Sequence, residues 1–246
     1  MAGAVAYLER VRRETGAHVT VTHLVAKGVA LAISHYPQLN GIVSRGRIML
    51  RDSVDVFLQV ATDGGRDLAG VKIANADRKS AVEIAREAAE RIDALRAGRD
   101  QNVERTKSVL ARVPGRLLGP LIRLISFLVY DLDLDLSRLG VVKDEFGTAM
   151  ISNAGSLGVN VAMAPLVPFS RCPVVVLVGE VEDRVVAENG EAVVRPMLTL
   201  GATFDHRFMD GYQGGQMIKV LRAYMADPDA ASDGPALAAT PITVAQ

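Results

Sequence analysis

The heptapeptide Asp205-His206-Arg207-Phe208-Met209-Asp210-Gly211 gathers an imidazole, a guanidinium and two carboxylates into one short segment. Histidine changes charge near neutral pH, so a positioned imidazole can take up a proton and return it within one reaction. Carboxylates just before it and four residues after it can orient the ring or anchor the local backbone. Gly211 permits a tight turn or the close approach of a ligand. These residue types alone leave two readings open: a general base on a rigid turn, or a loop whose histidine caps a helix.

Such a turn has to be held by the elements on either side. Leu198–Phe204 reads as a strand running directly into the heptapeptide, and a helix is expected from about Tyr212 to Met225. Val174–Val178 is a continuous apolar run, consistent with a buried central strand. Between these two strands, Asn189-Gly190 is flanked by valine pairs, a strong hairpin signal. Val54, Val56, Leu58 and Val60 alternate with Asp55, Phe57 and Gln59, and Arg45-Gly46 reads as another hairpin turn. On the helical side, Val5, Leu8 and Val11 form a stripe that Gly16 stops, and a second helix capped by Thr22 ends before Pro37. Ser80-Ala81-Val82-Glu83 has capping-box spacing and opens a third helix, with Gly98 beyond its end. The expected fold is one α/β domain, a mixed sheet with helices packed on it.

The 246 residues can bury a substantial core, and 49% hydrophobic against 23% charged is an ordinary globular composition. Lys plus Arg and Asp plus Glu both number 28, which argues against a nucleic-acid partner. A single cysteine, Cys172, excludes an internal disulfide and a multi-thiolate metal site, so no metal is expected. The segment Met1–Thr15 has no apolar core of the secretory kind. Leu117–Tyr130 is interrupted by Gly119, Pro120 and Arg123, short of what a spanning helix needs. A membrane role is therefore not expected and the cytoplasm is the default location. Leu117–Tyr130 reads as an appendage helix or a subunit contact. Cys172 reads as a packed small residue, and His18, His23 and His35 as ordinary packing or surface residues.

The heptapeptide resembles the histidine signature of the acyltransferase component of 2-oxo acid dehydrogenase complexes, and less closely that of chloramphenicol acetyltransferase. Three further segments resemble the same family in its order: Thr22-His23-Leu24-Val25-Ala26-Lys27, Asn75-Ala76-Asp77-Arg78-Lys79-Ser80, and Ile151-Ser152-Asn153-Ala154-Gly155-Ser156-Leu157-Gly158. The resemblance covers about residues 5–100 and 146–228. It implies a two-layer, chloramphenicol acetyltransferase-like fold and a CoA-dependent acyl transfer to a thiol such as dihydrolipoamide. It assigns His206 as general base and Ser152 as donor to the oxyanion. Asp210 becomes the acid that organises the histidine loop through an ion pair. It further implies a homotrimer in which Ser152 of one chain faces His206 of another. Without the family assignment, Ser152 reads as a turn cap and Asp210 as a structural carboxylate.

Three departures from the family stand out. No lipoyl domain precedes the first helix, so the lipoyl group is expected on a separate carrier or dehydrogenase component. A helical insertion of about residues 99–145 separates the third helix from Phe146. The end of the chain, 229–246, is small and polar and reads as a flexible tail, which predicts an isolated trimer. These departures motivate an alternative, a non-catalytic scaffold or regulatory homologue of the acyltransferase core.

Overall fold

The computed structural model describes residues 1–62, 67–97, 114–132, 134–136, 141 and 143–233. Helix α1 (Ala2–Thr15) buries Ala4, Leu8 and Val11 and ends where Gly16 turns left-handed at φ 66°. Helix α2 (Val21–His35) is apolar nearly all round and is buried over most of its length. It packs on α3 (Ala81–Arg96) and on α5 (Gly211–Ala226). At the α2–α5 crossing a Cβ on Gly28 would lie 2.5 Å from Leu221 Cδ1 and 3.0 Å from the Tyr224 ring, so a larger residue there would push these side chains aside.

The cap of α2 differs from expectation. Thr20 is the capping residue, and the Thr20 N–H donates to His23 Nδ1 at 3.0 Å. Thr22 instead accepts a hydrogen bond from Asn153 Nδ2 at 2.8 Å, pinning the helix start to the segment after Ser152. Thus His23 has the local role that its isolation in the sequence concealed. Ser80 and Glu83 do form the expected capping box of α3.

Among the described residues, seven strands form a hairpin and a sheet. β1 (Gly41–Ser44) and β2 (Arg47–Leu50) turn at Arg45 and Gly46, both at positive φ, as their pairing predicts. The main sheet holds β3 (Val56–Thr62), β4 (Asp67–Ile73), β5 (Ala149–Asn153), β6 (Val174–Glu188) and β7 (Glu191–Phe204), in the order β4-β3-β5-β6-β7. β5 is parallel to both neighbours, while β4 and β7 close the sheet antiparallel. Asn189 and Gly190 make the expected β6–β7 turn at φ 52° and 86°.

The helices cover one face, where Val56, Leu58, Ile151, Val174 and Val176 join the main core. On the opposite face Phe57, Met150, Cys172 and Val175 form a smaller cluster. Burial on both faces explains why the start of β6 reads as a continuous apolar run rather than a clean alternation.

Within the insertion, α4 (Gly115–Ser126) buries none of its side chains and continues as a wider turn to Asp131 that buries Val129. Gly98 and most of the charged stretch after it lie outside the described residues. The expected loose tail instead opens as a short helix, α6 (Pro228–Asp233), held to α1 by an Arg10–Asp229 ion pair at 2.6 Å. Residues 234–246 lie outside the described residues.

Burial pushes the His23 pKa from 6.5 down to about 4, and its Nδ1 lone pair is committed to the cap. The unfolded chain takes up this proton near 6.5 and the folded one only near 4. Stability should therefore be full above about pH 6.5 and fall as the pH drops towards 4, by up to about 3 kcal/mol. His23→Gln keeps a capping acceptor without titrating. Urea midpoints at pH 7 and 4.5 should separate more for the natural protein than for this variant; equal separations would remove His23 as the cause.

Candidate active site

The His206 turn is fixed at both ends. Asp205 N–H donates to Pro173 O at 2.9 Å, prolonging the β6–β7 ladder, and Phe208 N–H closes the turn on Asp205 O at 3.0 Å. Phe208 and Met209 are buried and anchor the far side. Arg207 folds back on Asp205, with Nη2 to Oδ2 at 2.6 Å and Nε to Oδ1 at 2.9 Å. That guanidinium holds the Asp205 carboxyl below its usual range. Between these anchors His206 is exposed, and its imidazole has no partner among the described residues.

The ion pair inside the loop is thus made by Asp205, not by Asp210. Asp210 caps α5, accepting from Tyr212 N–H at 2.8 Å and Gln213 N–H at 3.2 Å, while Gln213 Oε1 accepts from Asp210 N–H at 2.6 Å. An Asp at a helix start with a Gln three residues on is a reciprocal cap, and it favours negative charge there. The spacing Asp210-Gly211-Tyr212-Gln213 carried that signal.

Ser152 lies near the end of β5, on the face away from the helices, in register with Gln59 and Leu177. It is half-buried, and its hydroxyl has no partner among the described residues. The chain beyond it is held tightly. Asn153 Oδ1 accepts from Ser156 N–H at 3.0 Å, and Ser156 Oγ donates to Asn153 O at 2.9 Å. A Cβ on Gly155 would fall 2.3 Å from Gly179 O, so this position requires glycine.

One chain does not bring Ser152 and His206 together. Ala149, Val174 and Phe204 form one row across the sheet, and Ser152, Leu177 and Gly201 form another. Ser152 stands three residues from the first row in one direction, and His206 two residues past it in the other. At the usual strand rise this is on the order of 16 Å along the strands.

The arginines of this region escaped the sequence reading. Arg171, at φ 50°, donates to Val43 O at 2.6 Å, pairs with Asp131 at 3.3 Å and stacks on the Tyr130 ring at 4.4 Å. Arg51 pairs with Asp144 at 2.6 Å with its side chain only 6% exposed. Together they tie the β1–β2 hairpin and the insertion to the base of β6. The one available signal was a lone arginine beside Cys172-Pro173 and a buried strand. Burial pushes the Cys172 thiol up to about 11, in keeping with a packing role.

A cavity of about 810 Å³ lies between α4, the Arg171 cluster and the His206 turn. A second, of about 600 Å³, lies between β7 and α5 and is almost wholly apolar. No group of three or more metal-ligating side chains occurs among the described residues. Nor does any described helix have the length and apolarity to cross a membrane.

Comparison with known proteins adds a frame to this geometry. The model of the 2-oxoacid dehydrogenases acyltransferase (catalytic domain) family matches residues 1–110 and 141–232, leaving out the stretch that contains α4 and the last residues of the chain. The mitochondrial dihydrolipoyllysine-residue succinyltransferase component of the 2-oxoglutarate dehydrogenase complex of Saccharomyces cerevisiae is 27% identical over 222 residues, covering 90% of this chain and 39% of that protein. The chain spans about two fifths of the length of the first curated relatives it matches. A solved structure of a probable dihydrolipoamide acetyltransferase from Listeria monocytogenes superposes with TM-score 0.67 at 21% identity, covering 95% of this chain and 83% of that one. The Azotobacter vinelandii dihydrolipoamide acetyltransferase gives TM-score 0.64 at 20% identity, covering 94% and 77%. That structure addresses a serine, a histidine and an asparagine in its catalytic mechanism, the asparagine four residues after the histidine. These likenesses show the fold, the two-layer chloramphenicol acetyltransferase-like arrangement of mixed sheet and packed helices.

If Asp210 works as a cap, Asp210→Ala should cost about 1 kcal/mol and Asp210→Asn only a few tenths, since both Asp and Asn accept from the first turn. Urea unfolding measures both. An equal loss in the two variants would point to the carboxylate charge instead.

Proposed function

We propose a reaction for this chain, which belongs to the 2-oxoacid dehydrogenases acyltransferase (catalytic domain) family: it moves an acyl group between coenzyme A and a thiol such as dihydrolipoamide. The observation that carries this reading is the exposed, unpartnered imidazole of His206 on a turn tied down at both ends. His206 takes the proton from the attacking thiol. The thiolate adds to the carbonyl carbon of the partner thioester, and the carbonyl oxygen becomes an oxyanion. The free hydroxyl of Ser152 donates to that oxygen. Collapse breaks the bond to the leaving sulfur, which recovers the proton from the imidazolium. The two thiols exchange one acyl group and one proton, and no acyl-enzyme is required.

The separation of Ser152 and His206 within one chain supports a site shared between subunits of a homotrimer, with the serine from one chain and the histidine from the next. Asp210 stands at the spacing from His206 that the asparagine holds from its histidine in the Azotobacter protein. Here it acts as a positioning residue: its cap fixes the start of α5, and so the exit of the turn. The arginine held by Asp205 stays out of the reacting geometry, leaving the imidazole as the group that moves the proton.

Two substitutions test these roles in an assay of acyl exchange between acyl-CoA and dihydrolipoamide. His206→Ala should abolish turnover. Ser152→Ala should lower kcat by about 10²–10³-fold with little change in KM, as for loss of one oxyanion donor. Full rate in the His206→Ala protein would remove the general base from this reading.

A further inference from the structure

The 810 Å³ cavity beside the His206 turn takes one wall from the stretch that the family model leaves unmatched. Gly119, Ile122, Arg123, Ser126 and Phe127 of α4 and its continuation form one wall. Leu166–Phe169 form another, and Asp205, Arg207 and Phe208 form the base. Its volume is typical of small-molecule sites.

The charges in the cavity are not balanced by their own pairing. Asp131 accepts from Arg45 N–H at 2.9 Å and from Arg171 at 3.3 Å, and these contacts hold its carboxyl below the usual range. Asp205 is taken by Arg207. Both carboxylates are therefore ionised and satisfied. Arg123 has no hydrogen bond or ion pair among the described residues. Three guanidiniums face two carboxylates, and the surplus is positive. Around them the walls are apolar, with Phe127 49% and Phe169 55% exposed. Apolar surface left open beside an unpaired guanidinium suits a ligand with an apolar body and one anionic end.

We propose that this cavity binds an amphipathic monocarboxylate, its hydrocarbon body against Ile122, Phe127, Phe169 and Phe208 and its carboxylate on Arg123. The site stands apart from the acyl transfer read above, since His206 does not line it. Its base nevertheless includes both neighbours of His206, so the ligand sits against the turn that carries the imidazole.

Calorimetry on the full chain with octanoate tests this. Saturable binding of octanoate is expected, with octanamide at least about tenfold weaker for want of charge and acetate undetectable for want of a body. Arg123→Gln should weaken octanoate about tenfold or more without moving the thermal midpoint, because the side chain is exposed and unpartnered. Gly119 lines the cavity and a Cβ there meets nothing within 4 Å, so Gly119→Leu should crowd the cavity and abolish binding in a folded protein. His206→Ala should bind octanoate unchanged, which separates this site from the transfer chemistry: either can fail without the other. No binding of octanoate, equal binding of octanamide, or full affinity in Arg123→Gln would each overturn the proposal.

Discussion

The strand pairing of the main sheet is the constraint on which everything else depends. β5 and β6 run parallel, so the chain must cross from the end of one to the start of the other, and it does so through residues 154–173. β6 and β7 run antiparallel, so β7 finishes where β6 began. Ser152 therefore stands at one end of the sheet and His206 emerges at the other. No side-chain rearrangement within a single chain closes that gap. In the reaction proposed above, the hydroxyl and the imidazole that serve one thioester would come from two copies of the protein.

The same pairing explains the close contacts around Ser152. The crossing after β5 passes over the sheet where side chains would obstruct it. A Cβ on Gly179 would lie 2.2 Å from Asn160 O, and one on Gly201 2.0 Å from Ala162 O. With the crossing held against the backbone, Leu157, Val161 and Met163 project outwards and are 71%, 61% and 77% exposed. Exposed apolar side chains on the segment that follows Ser152 would suit a subunit contact there.

Local signals were legible wherever they rested on backbone chemistry. The turns at Arg45-Gly46 and Asn189-Gly190, the stop at Gly16 and the Ser80 capping box follow from left-handed φ values and from short side chains accepting N–H groups. The His206 turn was legible because a strand, a dense polar cluster and a helix follow one another without a gap. The Thr20–His23 cap was not, since His at the third helical position mimics the usual Glu or Gln only when its Nδ1 is unprotonated and buried. The ion pair expected of Asp210 falls to Asp205 instead because the loop offers two carboxylates, and only the geometry shows which one meets Arg207. The arginine ties were invisible for a different reason. Arg51 to Asp144 and Arg171 to Asp131 span distant parts of the chain, and single charged residues carry no periodicity.

The requirement for two chains can be tested directly by mixing them. Ser152→Ala and His206→Ala proteins, each nearly inactive alone, are co-expressed or refolded together so that mixed trimers form. Where a Ser152→Ala chain offers its histidine to a His206→Ala chain's serine, an intact site is rebuilt. Activity on the order of a quarter of the natural protein's is expected, since each interface draws its two chains at random. A mixture no more active than its two components measured separately would contradict a site shared between subunits.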